Sequence, residues 1–198
     1  MKIFRKKPIA AWFLVPVLAF MLSACIDVQD FGTYWAQGQV DPALEGRWKM
    51  TPLEEVQGQA SADKYFIFEN AGDHYRLIAE DGSADGPMLV KTLSAEGKTF
   101  LMLYEPPAEP PADPAVMAGD LWPYKVTGNA IEFTRIADSA VAEMEKISTG
   151  LVEAEATGGA WTFTIKKLDE PTLAALLRIS AVPELWTTWA RGEKLPPL

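Results

Sequence analysis

Few residues in this chain can do chemistry, and their types restrict it sharply. His74 is the only histidine and Cys25 the only cysteine among 198 residues, so a nucleophile, base and acid arrangement would have to use His74. It follows Asp73 at the start of an apolar run, and no serine stands in a nucleophile-elbow context such as G-x-S-x-G. Metal sites built from cysteine and histidine are excluded by the same count. Glu153 and Glu155 could flank a glycosidic bond, but any acidic chain offers many such pairs. No glycine-rich phosphate loop is present. The expectation is a protein without catalytic residues, resident metal or cofactor.

Asp81-Gly82-Ser83-Ala84-Asp85-Gly86 sets oxygen ligands at alternate positions before a glycine, and so resembles half of an EF-hand loop. Thr92 stands where the closing bidentate glutamate should be, and Pro87 follows the glycine, which predicts a plain hairpin turn.

Cys25 is different, because its surroundings give the thiol a use. Residues 1–24 run from a basic region (Lys2, Arg5, Lys6, Lys7) through an uncharged apolar stretch to small residues before the cysteine, the order of a secretory signal. Leu22-Ser23-Ala24-Cys25 resembles the lipobox of bacterial lipoproteins. The resemblance implies that Cys25 becomes the first residue of the mature chain and carries a diacylglyceryl group with acyl chains such as palmitate. A transmembrane helix needs roughly 20 apolar residues, and this run is shorter and broken by Pro16. A soluble-secretion site needs small residues in an A-x-A-like pattern, and Leu22 is bulky where one of them should sit. An aspartate directly after the lipidated cysteine resembles an inner-membrane retention signal; here Ile26 holds that place, with Asp27 one further on. The expected location is therefore the outer membrane, with the domain facing the periplasm and the lipid on Cys25 as its membrane partner.

Loss of residues 1–24 leaves 174 residues, with 14 Lys+Arg against 27 Asp+Glu, a net charge of −13. That length suits one domain with a core of its own. The charge repels nucleic acid and anionic head groups, so no nucleic-acid partner is expected. With its one cysteine assigned to lipid, the chain can form no internal disulfide, and stability must come from packing.

The elements follow from punctuation. Residues 26–42 show no sustained period and read as a lipidated tether beginning at Cys25, leaving residues 43–198 as the domain. Gly46-Arg47-Trp48 opens the first strand and resembles the G-x-W at the start of lipocalin barrels. The resemblance implies that Gly46 and Trp48 plug a barrel end; taken alone, the tryptophan reads as one packed on a first strand. Two further lipocalin signatures, a Thr-Asp-Tyr turn and a closing arginine at a fixed strand, have no counterpart in the sequence.

Lys64 to Glu69 and His74 to Glu80, Met88 to Leu93 and Thr99 to Tyr104, and Trp122 to Val126 and Ile131 to Ile136 form three hairpins across glycine-bearing turns. Trp161 to Leu168 alternates like a strand with one wet face. Tyr65-Phe66-Ile67-Phe68 is apolar on both faces and should be covered on both. Helices are predicted over Ser139 to Ile147, Glu170 to Ile179 and Pro183 to Ala190, packed over one opening, the last with Leu185, Trp186 and Trp189 as an aromatic stripe. Residues 105–120 carry five prolines and should form an exposed loop.

The predicted fold is mainly β, an antiparallel meander forming a closed or half-closed small barrel with short C-terminal helices packed over it. The predicted function is that of a lipid-anchored envelope protein working as a non-catalytic interaction or structural module with an envelope protein partner. A lipocalin-like carrier of a small apolar ligand is the alternative.

Overall fold

The computed structural model describes residues 26–53, 62–82, 86–106, 117–157 and 160–197. The lipobox Leu22, Ser23, Ala24 and Cys25 lies outside them, as does most of the proline-rich stretch. The chain opens with β1 (Ile26–Val28) and the single turn α1 (Tyr34–Gln37). Seven strands follow in sequence: β2 (Gly46–Pro52), β3 (Lys64–Asn70), β4 (Tyr75–Ala79), β5 (Met88–Ala95), β6 (Lys98–Tyr104), β7 (Gly119–Thr127) and β8 (Ala130–Ile136). Then come α2 (Val141–Ser148), β9 (Glu153–Thr157), β10 (Ala160–Ile165), α3 (Glu170–Ser180) and β11 (Trp186–Lys194).

β2 through β8 form an antiparallel meander in which each strand pairs with the next. β11 pairs with β8 on one edge and with β2 on the other, which closes an eight-stranded antiparallel barrel. Closure removes the open edges that a meander would otherwise expose. The three predicted hairpins are all present, each turning through glycines at positive φ such as Gly72, Gly97 and Gly128.

Alternation sorts the side chains into two cores. One, inside the barrel, holds Trp48, Met50, Phe68, Tyr75, Leu77, Val90, Leu101, Leu103, Trp122, Tyr124, Ile131 and Phe133. The other lies outside the wall, where Phe100, Met102 and Leu121 meet Val141 and Met144 of α2, Leu176 and Ile179 of α3, and Phe163 and Ile165 of β10. The predicted helices over residues 139–147 and 170–179 form, with Asp169 capping α3 through Thr172. They cover this outer wall instead of an opening.

Three further expectations are corrected. Pro183–Leu185 makes one 3-10 turn, and the predicted third helix is the closing strand β11. The spacing of Leu185, Trp186 and Trp189 looks helical, yet Thr187 and Thr188 are β-branched. Two strand edges waiting on either side outweigh a local period. Residues 26–42, read as a tether, are built into the fold: Val28 and Phe31 are fully buried, and β1 lies between β7 and β10. Their apolar positions, such as Ile26, Val28 and Phe31, follow no single spacing and so show no period. Tyr65 to Phe68 is covered on one face only, since Tyr65 is 37% exposed. The strand covered on both faces is β6, where Phe100 to Leu103 are all fully buried.

β7 carries the junction between the two cores. Its last residues pair with β8, while Gly119 to Leu121 pair on the same edge with β1, so a short sheet of β1, β10 and β9 branches from the barrel wall there. Gly119 permits the close approach: a Cβ on it would lie 1.9 Å from the Leu103 carbonyl oxygen.

Candidate functional site

The barrel end at the start of β2 is closed by the chain itself. Gly46 has φ +112°, a conformation that favours glycine, and turns the chain into β2. Trp48 follows, fully buried, and donates its indole N–H to the Leu44 carbonyl at 2.7 Å. Val40 and Leu44 pack into the inner core, and Gln39 forms a two-way backbone bridge with Thr92 of β5. Asp41 fastens this crossing segment: Tyr124 donates to its carboxylate at 2.7 Å and Tyr75 to its carbonyl at 3.1 Å. Burial, followed by the neighbouring Asp41 carboxylate, pushes the Tyr124 phenol far above its ordinary range.

On the closing strand, Lys194 holds its ammonium 5.6 Å from the centre of the Trp48 ring and donates to the Ala43 carbonyl. A lysine on the last strand gives no local signal, because its partner is about 150 residues away. Gly46 and Trp48 thus lie where β2 enters the barrel, with Trp48 packed in the inner core.

Above the plug the interior is lined by rings in contact. Phe68 and Tyr75 meet edge to face at 6.1 Å, Trp122 and Phe133 at 5.7 Å, and Trp122 and Trp189 at 5.6 Å. Such pairs contribute about 0.5–1.5 kcal/mol each beyond their burial. Trp189 sits at a register shift in β11 between Thr188 and Ala190, which turns its ring inward. Its Nε1 is buried without a hydrogen-bond partner.

His74 is placed outside this interior. Its Nδ1 lies 2.7 Å from Asp73, whose other oxygen meets Lys91 Nζ at 3.1 Å. Lys91 is only 6% exposed and covers the face of Trp35 at 5.6 Å. The His74 contact and then Lys91 hold the Asp73 carboxyl down at about 2. The cluster fastens the β3–β4 turn to β5.

Glu153 pairs with Lys166 and is exposed. Glu155 is exposed two residues along the same strand. Ser83 and Asp85 of the calcium-like stretch lie outside the described residues. Among the described residues no group of three or more His, Cys, Asp or Glu is placed to hold a metal ion, and no helix is long and apolar enough to cross a membrane. Asp27 of β1 faces Asp120 across β7, and burial raises its carboxyl above the ordinary range.

A cleft of ≈ 840 Å³ runs along the outer wall of β6, β7 and β8, under the C-terminal end of α3. Sequence reasoning missed it, because its lining comes from five separate elements.

No family model, curated protein or solved structure matches this chain. The fold and its geometry therefore carry the functional argument.

Proposed function

We propose that the protein is a lipid-anchored component of the cell envelope whose barrel is a non-catalytic interaction or structural module. The observation that carries this reading is the lining of the barrel: inward positions from every strand hold large side chains of the chain's own, packed ring to ring. Interiors packed in this way leave few voids larger than a water molecule. A domain whose core is filled by itself presents its outer surface to partners. The lipobox Leu22-Ser23-Ala24-Cys25 supplies the attachment, since two or more acyl chains hold a protein stably at a membrane. Ile26 after the cysteine favours the outer membrane, with the barrel in the periplasm and an envelope protein as its partner.

One observation favours the second reading, a carrier of an apolar ligand. The buried N–H of Trp189 lacks an acceptor, and a ligand bearing one oxygen would satisfy it among the surrounding rings. The two readings separate on occupancy. Protein purified from membranes is extracted with organic solvent for mass spectrometry and titrated with a hydrophobic fluorophore. The expected result is no stoichiometric compound and no saturable binding. One apolar molecule per chain would overturn the module reading in favour of the carrier.

A further inference from the structure

The chain reaches its first strand without slack. Ile26, directly after Cys25, is 2% exposed and lies opposite Leu121 of β7 and Phe163 of β10. An anchor on Cys25 is therefore joined to the barrel with no spacer between them. The direction of approach is also set. β1 is antiparallel to β7, so from Ile26 back toward Cys25 the strand points along β7 to Trp122 and Pro123. Pro123 lies two residues past Leu121, about 7 Å along the strand, and it lines the outer cleft.

That cleft has a lining of two kinds. Pro123 and Trp186, both half-buried, form an apolar floor over the buried Phe100, with Pro183 and the end of α3 beside it. Lys98 and Lys125, both exposed, line it as well, and neither forms an ion pair among the described residues. Two acids line it too: Glu132, opposite Lys125 in the β7–β8 ladder and held by Arg191 at 2.9 Å, and Asp41, whose carboxylate accepts from Tyr124. The mature chain carries a charge of −13, with 14 cations against 27 acids. Two lysines beside two acids already engaged by Arg191 and Tyr124, over an apolar floor, bring that surface locally to balance. A phospholipid offers the complement, a phosphate for the ammonium groups and an acyl chain for the floor.

We propose that this cleft is the membrane-contact face of the protein, seating a phospholipid head group beside the point where the anchor leaves β1. The proposal rests on the lipid-anchored reading given above. The acyl chains on Cys25 hold the protein to the bilayer, and the cleft fixes which side of the barrel lies against it. The open cleft beside the end of α3, where Lys98 and Lys125 are exposed, turns toward the lipid, and β3 and β4 turn toward the periplasm.

The full chain, purified from membranes, tests this in vesicles of phosphatidylethanolamine and phosphatidylglycerol that contain a head-group quencher. With Cys25 lipidated, an introduced cysteine is the only free thiol and takes a fluorophore at Thr134→Cys in the cleft or at Arg76→Cys on β4. Mass spectrometry of the N-terminal peptide reads the lipid separately. The expected result is a several-fold greater loss of fluorescence at position 134 than at position 76. That contrast should vanish in Lys98→Glu/Lys125→Glu and survive in Lys98→Arg/Lys125→Arg. Equal quenching at both positions, or a contrast untouched by charge reversal, with the lipid present on Cys25, overturns the proposal alone. Absence of a diacylglyceryl mass on Cys25 overturns the anchored reading and the proposal with it.

Discussion

Two tryptophans with buried N–H groups differ in whether the group has a partner. Trp48 donates to Leu44, so Trp48→Phe strands a buried carbonyl and should cost about 1–3 kcal/mol in addition to the smaller ring. Trp189 has no acceptor. Removing an unsatisfied donor relieves a penalty of similar size, so Trp189→Phe should fall well short of the Trp48→Phe loss. Chemical denaturation of both variants checks the contrast, and equal losses would mean that the Trp189 N–H is engaged after all. Asp73 gives a dependence on pH. Its carboxyl is held at about 2 in the folded protein, against roughly 3.9 in an unfolded chain. A depressed carboxyl stabilises above the unfolded value, and the contribution is lost as pH falls through the folded one. Asp73→Asn should therefore melt below the parent at neutral pH, and the gap should close between about pH 4 and pH 2. The side chain is 76% exposed, so salt should narrow the gap as well.

At the scale of elements, alternation makes the sharpest claims. Phe163 of β10 is 3% exposed on the outer core and Thr164 faces the other way. Phe163→Ala should cost about 3–5 kcal/mol, and Thr164→Ala should stay within about 0.5 kcal/mol. Similar melting temperatures for the two variants would refute the assignment of faces. β11 closes the barrel with the large Trp189 turned inward, and beside it the inward positions Ala190 and Gly192 are small. A Cβ on Gly192 would lie 2.3 Å from the sulfur of Met50 and 2.6 Å from a methyl of Ile131. Gly192→Ala should therefore cost about 1–3 kcal/mol through overpacking, measurable by urea denaturation.

For the molecule as a whole, closure by β11 is the decisive contact. It joins β2 to β8 and sets Lys194 against Trp48. Deleting residues 186–198 should abolish the cooperative unfolding transition and raise binding of a hydrophobic dye, since two long strand edges and the inner rings become exposed. A truncated chain that still unfolds in one sharp step would show that the meander is stable open.

The sequence by itself determined the strand meander and carries the proposed address. Both are local: a lipobox is four adjacent residues, and the hairpins at Asn70, Ala95 and Thr127 are written in alternation and turn residues. The tertiary structure alone decided whatever depends on partners far along the chain. It made a strand of a segment with helical spacing, because β2 and β8 offered it two edges. It drew residues 26–42 from a supposed tether into the sheet and the barrel end, because Phe31 and Asp41 find their contacts only once the barrel exists. The cation over Trp48 and the cleft beside Pro123 arise in the same way, from residues that a one-dimensional reading keeps apart.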